Sequence, residues 1–185
     1  MMQEISLNIL DVVQNSVSAK ASLIHIIVKV STKDDELTVV IEDDGCGMTK
    51  EQVLHVEDPF FTTRTTRKVG LGVPFFKMAA LATGGDFNIE SEVGVGTKVT
   101  AIFKLSHIDR MPLGDINSTI QTFVVYNESI DFLYEYIFDD KSFVLDTREM
   151  RQVLDGVPFS TPEVSNYILE FLKENKAETD SGTIL

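Results

Sequence analysis

Three groups of residues have types and spacings that could do chemistry. The first is the segment 58–72, DPFFTTRTTRKVGLG, which gathers four threonines, the cations Arg64, Arg67 and Lys68, and the glycines Gly70 and Gly72. In a chain of net charge −13, such a cluster of cations requires a reason. The hydroxyls of Thr62 and Thr63, the cations, and the backbone of Gly70-Leu71-Gly72 at a helix start suit a polyphosphate. Glycines admit close approach, the first helical N–H groups point outward, and the helix dipole favours negative charge. A solvated surface loop with a glycine turn is the competing reading. The second group is Asp43-Asp44-Gly45-Cys46-Gly47, at the end of the β-branched run 36–42. A carboxylate at a strand end followed by Gly-x-Gly puts an acceptor beside backbone that a flat ring can approach. An adenine amino group is one such target; a type I′ Asp-Gly turn is the alternative. Cys46 reads as a small filler, since no basic group adjoins it in sequence. The third group is Asp11 and Asn15, one helical turn apart. They either line a pocket and hold a metal or a water, or belong to a solvent-facing stripe.

The elements that must position these groups follow from periodicity. Residues 3–19 lack Gly and Pro and read as a mostly apolar helix, with Glu4, Asn8, Asp11, Asn15 and Ser18 in one narrow stripe. Runs 22–31 and 36–42 alternate and predict an antiparallel hairpin. Thr49 and Gln52 predict a capping box for a short helix over 50–56. A further helix over 73–82 starts with Pro74 in its first turn and ends at Gly84-Gly85. The runs DFNIES and TKVTAIFKL predict a second hairpin, giving about four strands and three helices.

Composition bounds the class. With 43% hydrophobic and 24% charged residues, the 185-residue chain is long and apolar enough for one domain and an appendage. One cysteine excludes an internal disulfide framework and is compatible with a reducing cytosol. The acidic balance argues against non-specific nucleic-acid binding, which needs a basic surface. The longest nearly apolar stretch, 21–30, contains His25 and Lys29 and is too short to span a bilayer. No signal peptide is read, and the expected compartment is the cytoplasm. The sequence carries no Walker loop, GxGxxG fingerprint, zinc-spaced Cys/His set or EF-hand loop. His25 lies in a strand run and reads as a packed or edge histidine, and His55 and His107 have no companion metal ligands in sequence.

Four signals stand in one order: a helix with Asp11 and Asn15, then D43-x-G45-x-G47, then PFFTTR with G70-L-G72, then G94-x-G96-T97. That order resembles the GHKL ATP-binding family of gyrase B subunits, large heat-shock chaperones, histidine kinases and MutL mismatch-repair proteins, over about residues 3–105. The resemblance implies an α/β (α+β) two-layer sandwich with a Bergerat-type mixed sheet covered by helices on one face. It implies ATP and Mg²⁺ as cofactors. Asn15 matches the asparagine that holds Mg²⁺ against the phosphates, with Asp11 as a second metal-side group where ATPase members carry a general-base glutamate. Asp43 matches the adenine-reading aspartate, with Gly45 and Gly47 beside the base and Thr97 in support. Thr62, Thr63, Arg64, Arg67, Lys68, Gly70, Leu71 and Gly72 match the phosphate-covering lid. PFFTTR, GLG and GGDFNIESEVGVGT look most like the histidine-kinase boxes, whereas NSVSAKAS looks closer to the mismatch-repair version. Two departures stand out: Asp11 is one methylene shorter than Glu, and Lys68 stands near where a glycine often opens the lid box.

Residues 106–118 read as a linker and 119–176 as a small α+β extension. Within the extension, 119–126, 130–138 and 142–145 read as strands, Asp146 caps a helix over 147–154, and Ser160 with Glu163 forms a capping box for another. The polar end from Lys176, with 177–185, reads as a frayed tail. The extension packs on the sheet or binds a partner. The kinase-like boxes imply phosphotransfer to, or regulation of, a protein partner in trans through the extension or the lid. A homodimer is left open, and self-phosphorylation is not expected because no H-E-x-R-T-P-like helix is present. A slow ATPase acting as a conformational switch and a non-catalytic, anti-sigma-type nucleotide-gated binder are the alternatives.

Overall fold

Strict alternation of apolar side chains produces the sheet on which the other elements are laid. The computed structural model describes residues 4–56 and 71–185. Its strands are β1 (Leu23–Ser31), β2 (Glu36–Asp43), β3 (Asp86–Glu92), β4 (Gly96–Lys104), β5 (Asp131–Phe138) and β6 (Lys141–Asp146). They form one six-stranded sheet in the order β3-β4-β2-β1-β5-β6. Neighbours pair antiparallel except β1 and β5, which run parallel. Register carries the buried residues across one face. Ile26 lies opposite Ile41 and Tyr134, and Val39 opposite Val28 and Ala101, all buried. Because side chains alternate with period two, this pairing gathers the apolar half of every strand on one side.

The helices are α1 (Ile5–Ser18), α2 (Lys50–Val56), α3 (Gly72–Ala82), α4 (Ile116–Tyr126), α5 (Thr147–Leu154) and α6 (Pro162–Asp180). They cover one face of the mixed sheet, the two-layer arrangement expected from the sequence. Ile5, Ile9, Val12 and Val13 of α1 are buried, and fully burying such a side chain stabilises by about 1.5–3 kcal/mol. α3 lays Phe76 against Phe103 of β4, with ring centroids 5.8 Å apart. The Thr49–Gln52 capping box forms: Gln52 N–H donates to Thr49 Oγ1 at 3.2 Å and Thr49 N–H to Gln52 Oε1 at 2.8 Å. Asp146 caps α5 by accepting from the Arg148 N–H at 2.9 Å.

Several expectations differ from the structure. Segment 119–126 is helical, not a strand: Ile116, Ile120, Phe123 and Val124 are buried at helical spacing, and Asp115 caps α4 by accepting from the Ser118 N–H. Its β-branched content suggests a strand, but tertiary burial of one helical stripe overrides that weak propensity. Segment 106–118 does more than connect. Glu4 gives α1 no side-chain cap; instead Pro112 and Leu113 carbonyls accept from the N–H groups of Ile5 and Ser6 at 2.9 Å. The Ser160–Glu163 box is not made: Thr161 is the N-cap of α6, and the Ser160 N–H donates to Glu128 Oε1. The end from Lys176 is not frayed. Helix α6 continues to Asp180, which is 2% exposed and accepts from Tyr136 Oη, and Leu185 accepts from the Leu113 N–H. The sheet has six strands where about four were expected, because β5 and β6 extend it beyond β1.

Candidate functional site

The end of β2 and the last turn of α1 meet at Asp43. Helical spacing puts Val12 and Ser16 on the core side of α1, and Asn15 beside them toward solvent. Ser16, 3% exposed, donates its hydroxyl to Asp43 Oδ2 at 2.5 Å. The other oxygen, Oδ1, accepts from the Gly45 N–H at 2.9 Å. Asp43 is therefore held as an oriented acceptor with a lone pair on each oxygen left for a further donor. The adjacent Asp44 is committed elsewhere, accepting from the N–H groups of Ser22 and Leu23 at 2.7 and 2.9 Å.

The loop after β2 closes the floor. Cys46 N–H donates to the Ala19 carbonyl at 3.0 Å, and the Cys46 carbonyl accepts from the Gly94 N–H at 2.9 Å. Gly47 has φ +65°, and a Cβ there would lie 1.9 Å from the Glu92 carbonyl oxygen, so only glycine fits. The turn is not type I′ at Asp44-Gly45, since neither residue has positive φ. Gly96 is equally constrained: a Cβ would lie 1.9 Å from the Asp43 carbonyl oxygen. Thr97 pairs with Asp43 across β2 and β4, and its hydroxyl lies 2.9 Å from Ser91 Oγ, to which the Met48 N–H donates at 2.8 Å.

These pieces surround a cleft of about 200 Å³ with mainly apolar walls. Asn15, Asp43, Gly47 and Thr97 of the expected site line it together. Gly45 sits behind Asp43 against Ala19. Asp11 lies one turn from Asn15 and faces α3 instead, where a Cβ on Gly72 would come within 2.4 Å of Asp11 Cβ. Burial holds the Asp11 carboxyl above its ordinary carboxylate value. Leu71 is the exposed N-cap of α3 and Gly72 its buried first residue. Thr62, Thr63, Arg64, Arg67, Lys68 and Gly70 lie outside the described residues.

Sequence reasoning did not single out Ser16, Ser91 or Met48, nor Val73, Ile89 and Val99, which supply apolar walls. Ser16 had a readable signal, a hydroxyl on the apolar side of α1 directly after Asn15. Ser91 had none, because its partners are set by strand pairing. A flat heteroaromatic ring with an exocyclic donor fits this arrangement: apolar walls for its faces and Asp43 for its donor. Among the described residues no cluster of three or more His, Cys, Asp or Glu could hold a metal by itself. A magnesium ion bound with a nucleotide needs only one or two protein ligands, so Asn15 on the cleft wall, with Asp11 one turn away against α3, is compatible with one.

The histidine kinase-, DNA gyrase B-, and HSP90-like ATPase family matches residues 2–107. Sporulation kinase D of Bacillus subtilis strain 168 is 31% identical over 98 residues, which cover 53% of this chain and 19% of the relative. The signal transduction histidine-protein kinase AtoS of Escherichia coli K12 is 28% identical over 109 residues, covering 57% and 17%. The chain thus spans about a fifth or less of the length of these relatives. Among solved structures, the N-terminal domain of a DNA repair protein superposes with a TM-score of 0.57 at 15% identity, covering 78% of this chain and 53% of that one. That likeness concerns the fold. The matched segment holds α1 to β4 with the whole Asp43 cleft, and the chain belongs to the histidine kinase-, DNA gyrase B-, and HSP90-like ATPase family, with an ATP-binding domain of the histidine-kinase-like kind.

Proposed function

We propose that the Asp43 cleft binds the adenine of Mg-ATP and that the protein uses this nucleotide to phosphorylate or regulate a protein partner in trans. The observation that carries the reading is the carboxylate of Asp43, fixed by Ser16 and Gly45 at one end of an apolar cleft. Asp43 accepts the adenine amino hydrogen, directly or through a water, and Thr97 supports that end. Gly47 and Met48 bound the ring with backbone and thioether surface. Asn15 and Asp11 stand on the phosphate side, where the N-terminus of α3 at Leu71-Gly72 favours negative charge. Thr62, Thr63, Arg64, Arg67, Lys68 and Gly70 complete the phosphate contacts in this reading. When bound, Mg²⁺ would neutralise part of the phosphate charge.

Asp11 decides between transfer and hydrolysis. A general base must reach to about 3 Å from the attacking water. Asp is one methylene shorter than Glu, and misplacement by about an ångström costs on the order of a hundredfold. Hydrolysis by the protein alone is therefore very slow. The partner docks on the C-terminal elements or on segment 58–72. The site of action is the cytoplasm; no helix among the described residues is long and apolar enough to cross a membrane. The experiment is steady-state ATP turnover by the wild type, Asp11→Asn and Asn15→Ala. Turnover well below one per minute, lowered only a few-fold by Asp11→Asn, with Mg-dependent binding lost in Asn15→Ala, supports the reading. Turnover of several per minute, lost in Asp11→Asn, replaces it with a hydrolytic switch.

A further inference from the structure

The back of α3 carries a second cleft. Val73 faces the Asp43 cleft, whereas Phe75, Met78, Ala79 and Ala82 lie roughly 140–240° around the helix from it, at 100° per residue. Those four, with Asn8 of α1 and Met111 of the connecting segment, line a concavity of about 430 Å³, and Asp109 stands at its edge. Its walls are overwhelmingly apolar, and its volume falls within the range of about 300–1,000 Å³ typical of small-molecule sites. Met78 is 58% exposed, and methionines on two sides give walls that adjust to a guest.

One atom in this apolar surround is out of place. Asn8 is 0% exposed, and its amide nitrogen donates to the Glu4 carbonyl in a long bond of 3.4 Å. Its carbonyl oxygen, Oδ1, is buried with no hydrogen-bond partner. A buried acceptor without a partner is a standing cost to the fold, and apolar walls give a water too few partners to relieve it. A leucine of similar size at position 8 would carry no such cost.

We propose that this cleft is a binding site for a compact, neutral, largely apolar small molecule carrying one N–H or O–H donor, which pairs with Asn8 Oδ1. Met78 and Met111 part to admit the ring, and Phe75 and Ala79 pack on it. The Asp109 carboxylate at the edge and the strongly acidic chain disfavour an anion, and the apolar walls disfavour a cation, which would lose its hydration there. The site is separate from the nucleotide cleft and does not depend on the nucleotide reading.

The test uses the full chain with ¹³C-methyl-labelled methionine and two probes, indole and 1-methylindole, which differ in the N–H. The expected result is saturable shifts of the Met78 and Met111 methyls without a shift of Met48, which reports on the nucleotide cleft. Indole should bind roughly fivefold more tightly than 1-methylindole, the effect of one neutral hydrogen bond. In Asn8→Leu the two probes should bind equally, with thermal melts showing that the variant folds. The wild-type comparison stands by itself if that variant does not fold. Absence of saturable shifts at Met78 and Met111, equal wild-type affinity for the two probes, or shifts confined to Met48 would overturn the proposal.

Discussion

The Ser16 hydroxyl donates to Asp43 Oδ2 at 2.5 Å, joining the last turn of α1 to the end of β2 across 27 residues of sequence. This bond sets which lone pairs of Asp43 face the cleft. Ser16→Ala leaves the carboxylate in place but free to turn. It should weaken ATP binding by roughly two- to tenfold, the scale of one hydrogen bond, with little change in the melting temperature. Calorimetric titration of ATP into the variant checks this, and an unchanged affinity would remove Ser16 from the site.

Asp11 is held against Gly72 at some cost. Its folded-state carboxyl titrates above its ordinary value because burial penalises the charge. A carboxyl raised on folding holds its proton more tightly in the native state, so its effect on stability turns unfavourable as pH rises from acid toward neutral. Asp11→Asn should therefore melt about 1–3 °C higher than the wild type at pH 7, a modest gain because the group is mostly solvated. The gap should close near pH 4. A lower melting temperature at pH 7 would show that the Asp11 charge is compensated.

The C-terminal end of the chain is fastened by a buried polar trio. Asp180 Oδ2 accepts from Tyr136 Oη at 2.9 Å and from Lys176 Nζ at 2.5 Å, and the Asp180 side chain is 0% exposed. Burial, and then the Asp180 hydrogen bond, keep the Tyr136 hydroxyl protonated well above its ordinary range. Asp180→Ala strands a Lys176 side chain that is only 16% exposed and should cost about 3–5 kcal/mol in urea unfolding. Tyr136→Phe, which leaves the Lys176–Asp180 pair intact, should cost about 1–2 kcal/mol. Equal losses in the two variants would contradict this division.

What the sequence reveals here is what depends on local chemistry. The stripe of Glu4, Asn8, Asp11 and Asn15, the Thr49–Gln52 box, and the Asp43–Gly47 spacing are short-range patterns, and each is visible before any fold is known. The alternation of 22–31 and 36–42 likewise predicts β1 and β2. Segment 119–126 is different: TIQTFVVY satisfies strand composition, and only packing of Ile120, Phe123 and Val124 under the sheet makes it α4. Parallel pairing of β5 with β1 joins residues about a hundred positions apart, and nothing in either strand specifies it locally. Ser91 and Asp180 are not legible for the same reason, since each matters through a partner from another element, whereas Ser16 shows only as a hydroxyl on the apolar side of α1.

The most direct test of the account is nucleotide selectivity at Asp43. In the proposed reading, the acceptor fixed by Ser16 and Gly45 receives the amino hydrogen of adenine, whereas guanine offers a carbonyl at that position. Titration calorimetry at constant Mg²⁺ and ionic strength should show ATP binding far more tightly than GTP. Asp43→Ala should weaken ATP by roughly one to two decades, the value of a charge-assisted bond in a cleft, and should bring the two nucleotides close together. Equal wild-type affinity for ATP and GTP, or an Asp43→Ala variant that binds ATP as the wild type does, would contradict the assignment of this cleft to adenine.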